Sequence, residues 1–60
     1  MFALRNASGA YFVCRAHDGA AVWSDARAVA HWFPRTHTAR RIAASLALDA
    51  YSIVHVSAGA

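Results

Sequence analysis

The sixty residues contain no lysine, glutamate or glutamine, a single proline and a single cysteine, and only three acids, Asp18, Asp25 and Asp49. Each shortage excludes something. Cys14 alone cannot form an intramolecular disulfide, so the secreted, cross-linked type of small domain is excluded and a reducing compartment, the cytoplasm, is expected. No run reaches the ~18 apolar residues of a membrane span, and residues 1–10 lack the basic-then-apolar pattern of a secretory leader, so no membrane association is expected. The three glycines are spread over two turns and the C-terminal end, which leaves no glycine-rich phosphate loop and no expected cofactor. With Asp18 assigned to a turn and Asp25 to a helix start, only Asp49 remains as a free carboxylate. A nucleophilic site needs Cys14 or a serine beside a histidine and an orienting acid in a pocket that excludes water, and a chain of this size has little room for one. No catalytic residue, and no enzymatic activity, is therefore expected.

What the chain does have is alanine and arginine. Sixteen residues are Ala, so the apolar fraction of 58% overstates the material for a core. Phe2, Leu4, Phe12, Trp23, Trp32, Phe33, Ile42, Leu46 and Val54 must carry it, and a core this thin favours a partner or a second copy of the chain. All six basic residues are Arg and the net charge is +3. A guanidinium stays charged and presents a planar fork that suits carboxylates and phosphates.

Along the chain, residues 1–6 and 10–16 read as two extended stretches joined by the turn Ala7-Ser8-Gly9. Asp18-Gly19 is a strong two-residue hairpin signal leading to a third strand over 20–23. A three-residue first loop with Gly9 left-handed places Leu4 opposite Phe12 and Phe2 opposite Cys14, and a two-residue second loop places Cys14 opposite Trp23. One face then carries Phe2, Leu4, Phe12, Cys14 and Trp23, and the other carries Arg5, Tyr11 and Arg15. Ser24 is a suitable N-cap for a short helix from Asp25 to Phe33, with Ala26, Val29, Ala30 and Phe33 on one side and Pro34 ending it. Thr36 or Thr38 caps a longer helix to about Leu48, where Ala39, Ile42, Ala43 and Leu46 recur at i, i+3, i+4 and i+7. Residues 51–56 form a β-branched closing strand. The expected fold is a single α+β domain over 1–60. It has a three-stranded antiparallel sheet of two hairpins, a short helix, a longer helix on one sheet face and a closing C-terminal strand, with 57–60 as a flexible tail.

The run Ser8-Gly9-Ala10-Tyr11, then Asp18-Gly19, Val22-Trp23-Ser24-Asp25, the Ala-rich turn to Phe33, Thr36, and the helix with Ala39 and Ala43-Ala44 together resemble the layout of many small accessory proteins of phages and prophages. That resemblance covers nearly the whole chain and rests on turns, caps and core positions. It implies a stoichiometric antagonist of host machinery, of which the anti-CRISPR proteins are the best-known group, although no defining motif of any one of them is present.

Cys14-x-x-His17 with His31 and His37 supplies four possible zinc ligands. Cys14 is expected in the core, His17 beside a turn, and His31 and His37 on either side of Pro34, so separate histidines are preferred and no metal is expected. The arginines are the better lead. Arg5, Tyr11 and Arg15 are expected to share the outer sheet face, and Arg35, Arg40 and Arg41 to cluster near the start of the long helix. Either group can be a solvated face with a cation–π pair, or a surface for nucleic acid or for an acidic protein. Trp32 is either core or an interface anchor. The open strand edges, unblocked by Lys or Pro, also permit a homodimer. The expected function is inhibition of a bacterial defence or host complex by binding it, with host protein or nucleoprotein as partner. The alternatives are a small nucleic-acid-binding module and a homodimeric assembly protein.

Overall fold

Both hairpins turn on the same three-residue loop. The computed structural model describes residues 1–56, with β1 (Phe2–Asn6), β2 (Tyr11–Arg15), β3 (Ala21–Ser24), α1 (Thr36–Ser45) and β4 (Tyr51–His55). The tail expected at 57–60 lies outside the described residues. Between β1 and β2, the Gly9 N–H donates to the Asn6 carbonyl at 3.0 Å and the Asn6 N–H to the Ala10 carbonyl at 2.9 Å. The Asn6 side-chain oxygen accepts from the Ser8 and Ala10 N–H groups. Between β2 and β3 the pattern repeats, with Gly19 N–H to Ala16 carbonyl and Ala16 N–H to Ala20 carbonyl, and the Asp18 carboxylate accepts from Ala20. Gly9 and Gly19 are left-handed, at φ 89° and 90°. The second loop is therefore one residue longer than the Asp18-Gly19 signal suggests. A type I′ turn would force Asp18 to positive φ as well, whereas a three-residue loop asks that of the glycine alone.

That extra loop residue changes the register. β2 and β3 pair as Arg15↔Ala21 and Cys14↔Val22, then, across an irregularity, as Phe12↔Trp23 and Tyr11↔Ser24. Val13 is the surplus residue, a β-bulge that absorbs the offset between the loop and the Phe12–Trp23 pair. A bulge inverts the alternation of side chains beyond it, and here it turns two residues over. Cys14 is exposed rather than packed inside opposite Trp23, and Arg15 leaves the outer face for the helix side.

A second departure lies at the open end of the first hairpin. β1 and β2 register only at Arg5↔Tyr11 and then splay apart. Residues 31–33 enter the gap. Phe2 and Phe33 exchange backbone hydrogen bonds at 2.8 and 2.7 Å, and the His31 N–H donates to the Phe12 carbonyl at 2.9 Å. Phe2 thus faces Phe33 and not Cys14. This wedge explains why the helix expected over 25–33 does not form. Helical chain advances only ~1.5 Å per residue, and extended chain is needed both to cross the sheet and to offer its backbone to β1 and β2. All that remains is a 3-10 turn at Arg27–Val29 with no buried residue. Ser24, the intended cap, instead accepts from the Ala26 N–H at 3.1 Å as a local turn. Val29 contributes nothing to the core and is exposed.

The long helix keeps its predicted stripe. Ala39 and Ala43 are fully buried, and Ile42 and Leu46 pack against the core from the flanks. The helix begins after Arg35 with no side-chain cap from either threonine, and ends at Ser45, three residues short of the expected Leu48. Its end is a Schellman motif, in which the Leu48 N–H bonds the Ala43 carbonyl and the Ala47 N–H the Ala44 carbonyl, with Ala47 at φ 55° where glycine is usual. The reversal sends the chain into β4, which joins the sheet beside β1 in the register Phe2↔His55, Leu4↔Ile53 and Asn6↔Tyr51. The closing strand therefore makes a four-stranded antiparallel sheet of order β3-β2-β1-β4, with α1 over β1 and β4. Leu4, Phe12 and Phe33 form the centre of the core with the two buried alanines. Phe12 meets Trp23 edge-on at 5.8 Å and lies nearly parallel to Phe33 at 6.3 Å between centroids.

Candidate functional site: two arginine surfaces

The sequence places Arg5, Tyr11 and Arg15 together, and the structure parts them. Arg5 lies on the outer face between its cross-strand neighbours Tyr11 and Ser52. Its Nε donates to the Gly9 carbonyl at 3.2 Å, and its guanidinium carbon sits 5.8 Å from the centre of the Tyr11 ring, a cation–π contact. Arg15 makes the equivalent bond one hairpin later, Nη1 to the Gly19 carbonyl at 3.2 Å. Because the Val13 bulge has turned it over, its other terminal nitrogen donates to the Ser45 hydroxyl at the end of α1. That hydroxyl in turn donates to the Ile42 carbonyl at 3.0 Å, which fixes its lone pairs toward Arg15.

This bond joins Arg15 to the helix arginines. Residues 37, 41 and 45 lie at i, i+4 and i+8 on one side of α1, so His37, Arg41, Ser45 and Arg15 run as one exposed strip from the helix start to the second hairpin. Arg40 stands beside it, and Arg35 occupies the uncapped N-terminus, whose first turn carries no acidic residue; both are exposed. Like charges gathered along a helix without intervening carboxylates cost stability unless an anionic partner compensates them. Among the described residues the hydrogen bonds of Arg5 and Arg15 go to carbonyls and a hydroxyl and to no carboxylate.

Trp32 lies in the wedge and is half-buried. Its neighbour Phe33 points into the core, so alternation along the extended segment directs the indole to the opposite side of the sheet. Its Nε1 is buried without a hydrogen-bond partner. The zinc candidates are dispersed by the same features: Cys14 is exposed by the bulge, His17 is in the second loop, His31 packs edge-on against Phe33 at 4.6 Å between centroids, and His37 is on α1. Among the described residues no three His, Cys, Asp or Glu side chains gather closely enough to hold a metal ion, and no helix is long and apolar enough to cross a membrane. Sequence reasoning misses the Arg15–Ser45 connection, because nothing local signals the bulge. The recurrence Arg-x-x-x-Gly at 5–9 and 15–19 was the available clue that the two arginines occupy equivalent places in their hairpins. Compared with known proteins, the chain matches no family model, no curated protein and no solved structure.

Proposed function

We propose that this chain is a non-enzymatic binding protein that blocks a host protein or nucleoprotein complex stoichiometrically, using the strip His37–Arg41–Ser45–Arg15 with Arg35 and Arg40 beside it. The observation that carries this is the hydrogen bond from Arg15 to Ser45, which brings Arg15 to the side of α1 that carries Arg41. A basic surface of this kind suits an antagonist that covers an acidic patch of its target or the phosphate backbone of a nucleic acid the target holds, since opposite charges must meet across the interface. If the resemblance of the sequence layout to phage and prophage accessory proteins carries over to function, the target is a bacterial defence or host complex in the cytoplasm of the host cell. Direct binding of nucleic acid is the second reading, favoured by the spacing of Arg35, Arg40, Arg41 and Arg15 along one side of the molecule.

Charge reversal at Arg40 and Arg41 together tests both. The substitutions are exposed and should each cost under about 0.5 kcal/mol of stability. Binding of the parent to a random-sequence duplex and a single strand is measured at two salt concentrations, alongside capture of a host complex from bacterial lysate. The inhibitor reading predicts one complex retained by the parent, lost in the variant and not displaced by free DNA. The nucleic-acid reading predicts salt-dependent DNA binding whose slope flattens in the variant. A folded variant that retains all binding rejects the strip as the working surface.

A further inference from the structure

At the end of the sheet, sharing no residue with the basic strip, an open depression of about 440 Å³ lies between the first hairpin loop and the start of β4. It is lined by residues 5–9 of β1 and the loop and by Ala50, Tyr51 and Ser52. Its chemistry is one-sided, because every charged or hydroxyl side chain in the lining can donate a hydrogen bond and none is a carboxylate. Arg5 is held ready in it. Its Nε is spent on the Gly9 carbonyl, its guanidinium carbon lies 5.8 Å from the centre of the Tyr11 ring, and a methyl group at Gly9 would come within 3.3 Å of its Nη2. The guanidinium thus sits between Gly9 and an aromatic ring, and among the described residues its terminal nitrogens make no hydrogen bond. Ser52 is the direct cross-strand partner of Arg5 on the same face. The Asn6 side-chain Oδ1 is occupied by the backbone N–H groups of Ser8 and Ala10, so the side-chain amide can offer a ligand only its NH₂.

We propose that this cavity binds the phosphate group of a small phosphomonoester, with Arg5 as the charged anchor and the hydroxyls of Ser52 and Ser8 as flanking donors. A phosphomonoester presents three acceptor oxygens and up to two negative charges, which suits a guanidinium with surrounding hydroxyl and amide donors better than a carboxylate does. The depression is open and lined mostly by exposed residues, so the phosphate is the part that is held and its substituent extends toward solvent. The site shares no residue with the helix strip, so either proposal can fail without the other.

The test is an NMR titration of the ¹⁵N-labelled chain with inorganic phosphate, with 5′-AMP, and with a short oligothymidylate that has hydroxyl ends. Phosphate and AMP should each shift the amides of Ser8, Gly9 and Ser52 and the Arg5 Nε–H. Tighter binding of AMP would identify a nucleotide as the source, and equal binding would identify the phosphate group alone. Arg5→Gln should weaken binding by about tenfold or more, the loss of a charge-assisted contact. Ser52→Ala, which leaves the Arg5–Gly9–Tyr11 clamp in place, should weaken it several-fold, and Arg41→Gln should have no effect. Shifts spread equally over Arg15, Arg40 and Arg41, binding of the oligonucleotide but neither monoester, or undiminished binding in both Arg5→Gln and Ser52→Ala would overturn the assignment.

Discussion

The first and second hairpins are built alike and end differently. Each has a three-residue loop closed by a left-handed glycine, and in each an arginine four positions earlier donates to that glycine's carbonyl. In the first, β1 and β2 keep regular alternation near the turn, so Arg5 stays on the outer face beside Tyr11, and the strands then part to admit residues 31–33. In the second, β2 and β3 stay paired along their length, and a bulge at Val13 rotates Arg15 toward α1. One local motif thus serves two surfaces. Where an arginine points is decided by how its hairpin resolves a mismatch further along, by opening in one case and by bulging in the other.

The comparison can be broken most severely at the wedge. Phe33→Ala should cost about 3–5 kcal/mol, since it empties a fully buried aromatic site that also holds β1 and β2 apart. For a domain of this size the loss approaches the total stability. The cooperative thermal transition is expected to vanish or fall steeply, and a variant melting within a few degrees of the parent would mean that Phe33 is not the wedge.

The two glycines sharpen the comparison. Ala at either position pays about 1–2 kcal/mol for the left-handed backbone. At Gly19 the added methyl meets nothing within 4 Å, whereas at Gly9 it presses on Arg5. Urea unfolding should rank Gly9→Ala as the more destabilised, and Gly9→Ala alone should move the Arg5 Nε–H resonance. Equal losses with no change at Arg5 would remove the clamp from the account. The smallest effect is at the helix end, where Ala47→Gly should stabilise by about 1 kcal/mol by relieving the left-handed alanine of the Schellman motif, seen as a rise of several degrees in Tm.

Much of this architecture was legible from local chemistry. Gly9 and Gly19 marked both turns, the spacing of Ala39, Ile42, Ala43 and Leu46 marked the helix and its inner face, and the β-branched run over 51–56 marked the last strand. The losses came where a local preference met a long-range demand. Ser24 and Asp25 make a good helix start, but β1 and β2 need the backbone of residues 31–33, so the chain stays extended there. Asp18-Gly19 suits a two-residue turn, but the longer loop spares Asp18 a positive φ, and the bulge follows from it. The candidate surfaces were legible as arginines and illegible as groupings, because one bulged residue in β2 reassigns Arg15 and Cys14 to opposite faces.

Cys14 therefore reports on the central claim directly. It is the chain's one thiol, exposed if Val13 is bulged and buried against Trp23 if β2 alternates without interruption. The measurement is the rate at which an aromatic disulfide reagent labels the native protein, compared with the same protein in denaturant. The bulged register predicts one thiol per chain reacting in native buffer at a rate close to that of the unfolded chain. Protection by several orders of magnitude, relieved only as the protein unfolds, would place Cys14 inside, return Arg15 to the outer face beside Arg5, and contradict the division into two surfaces.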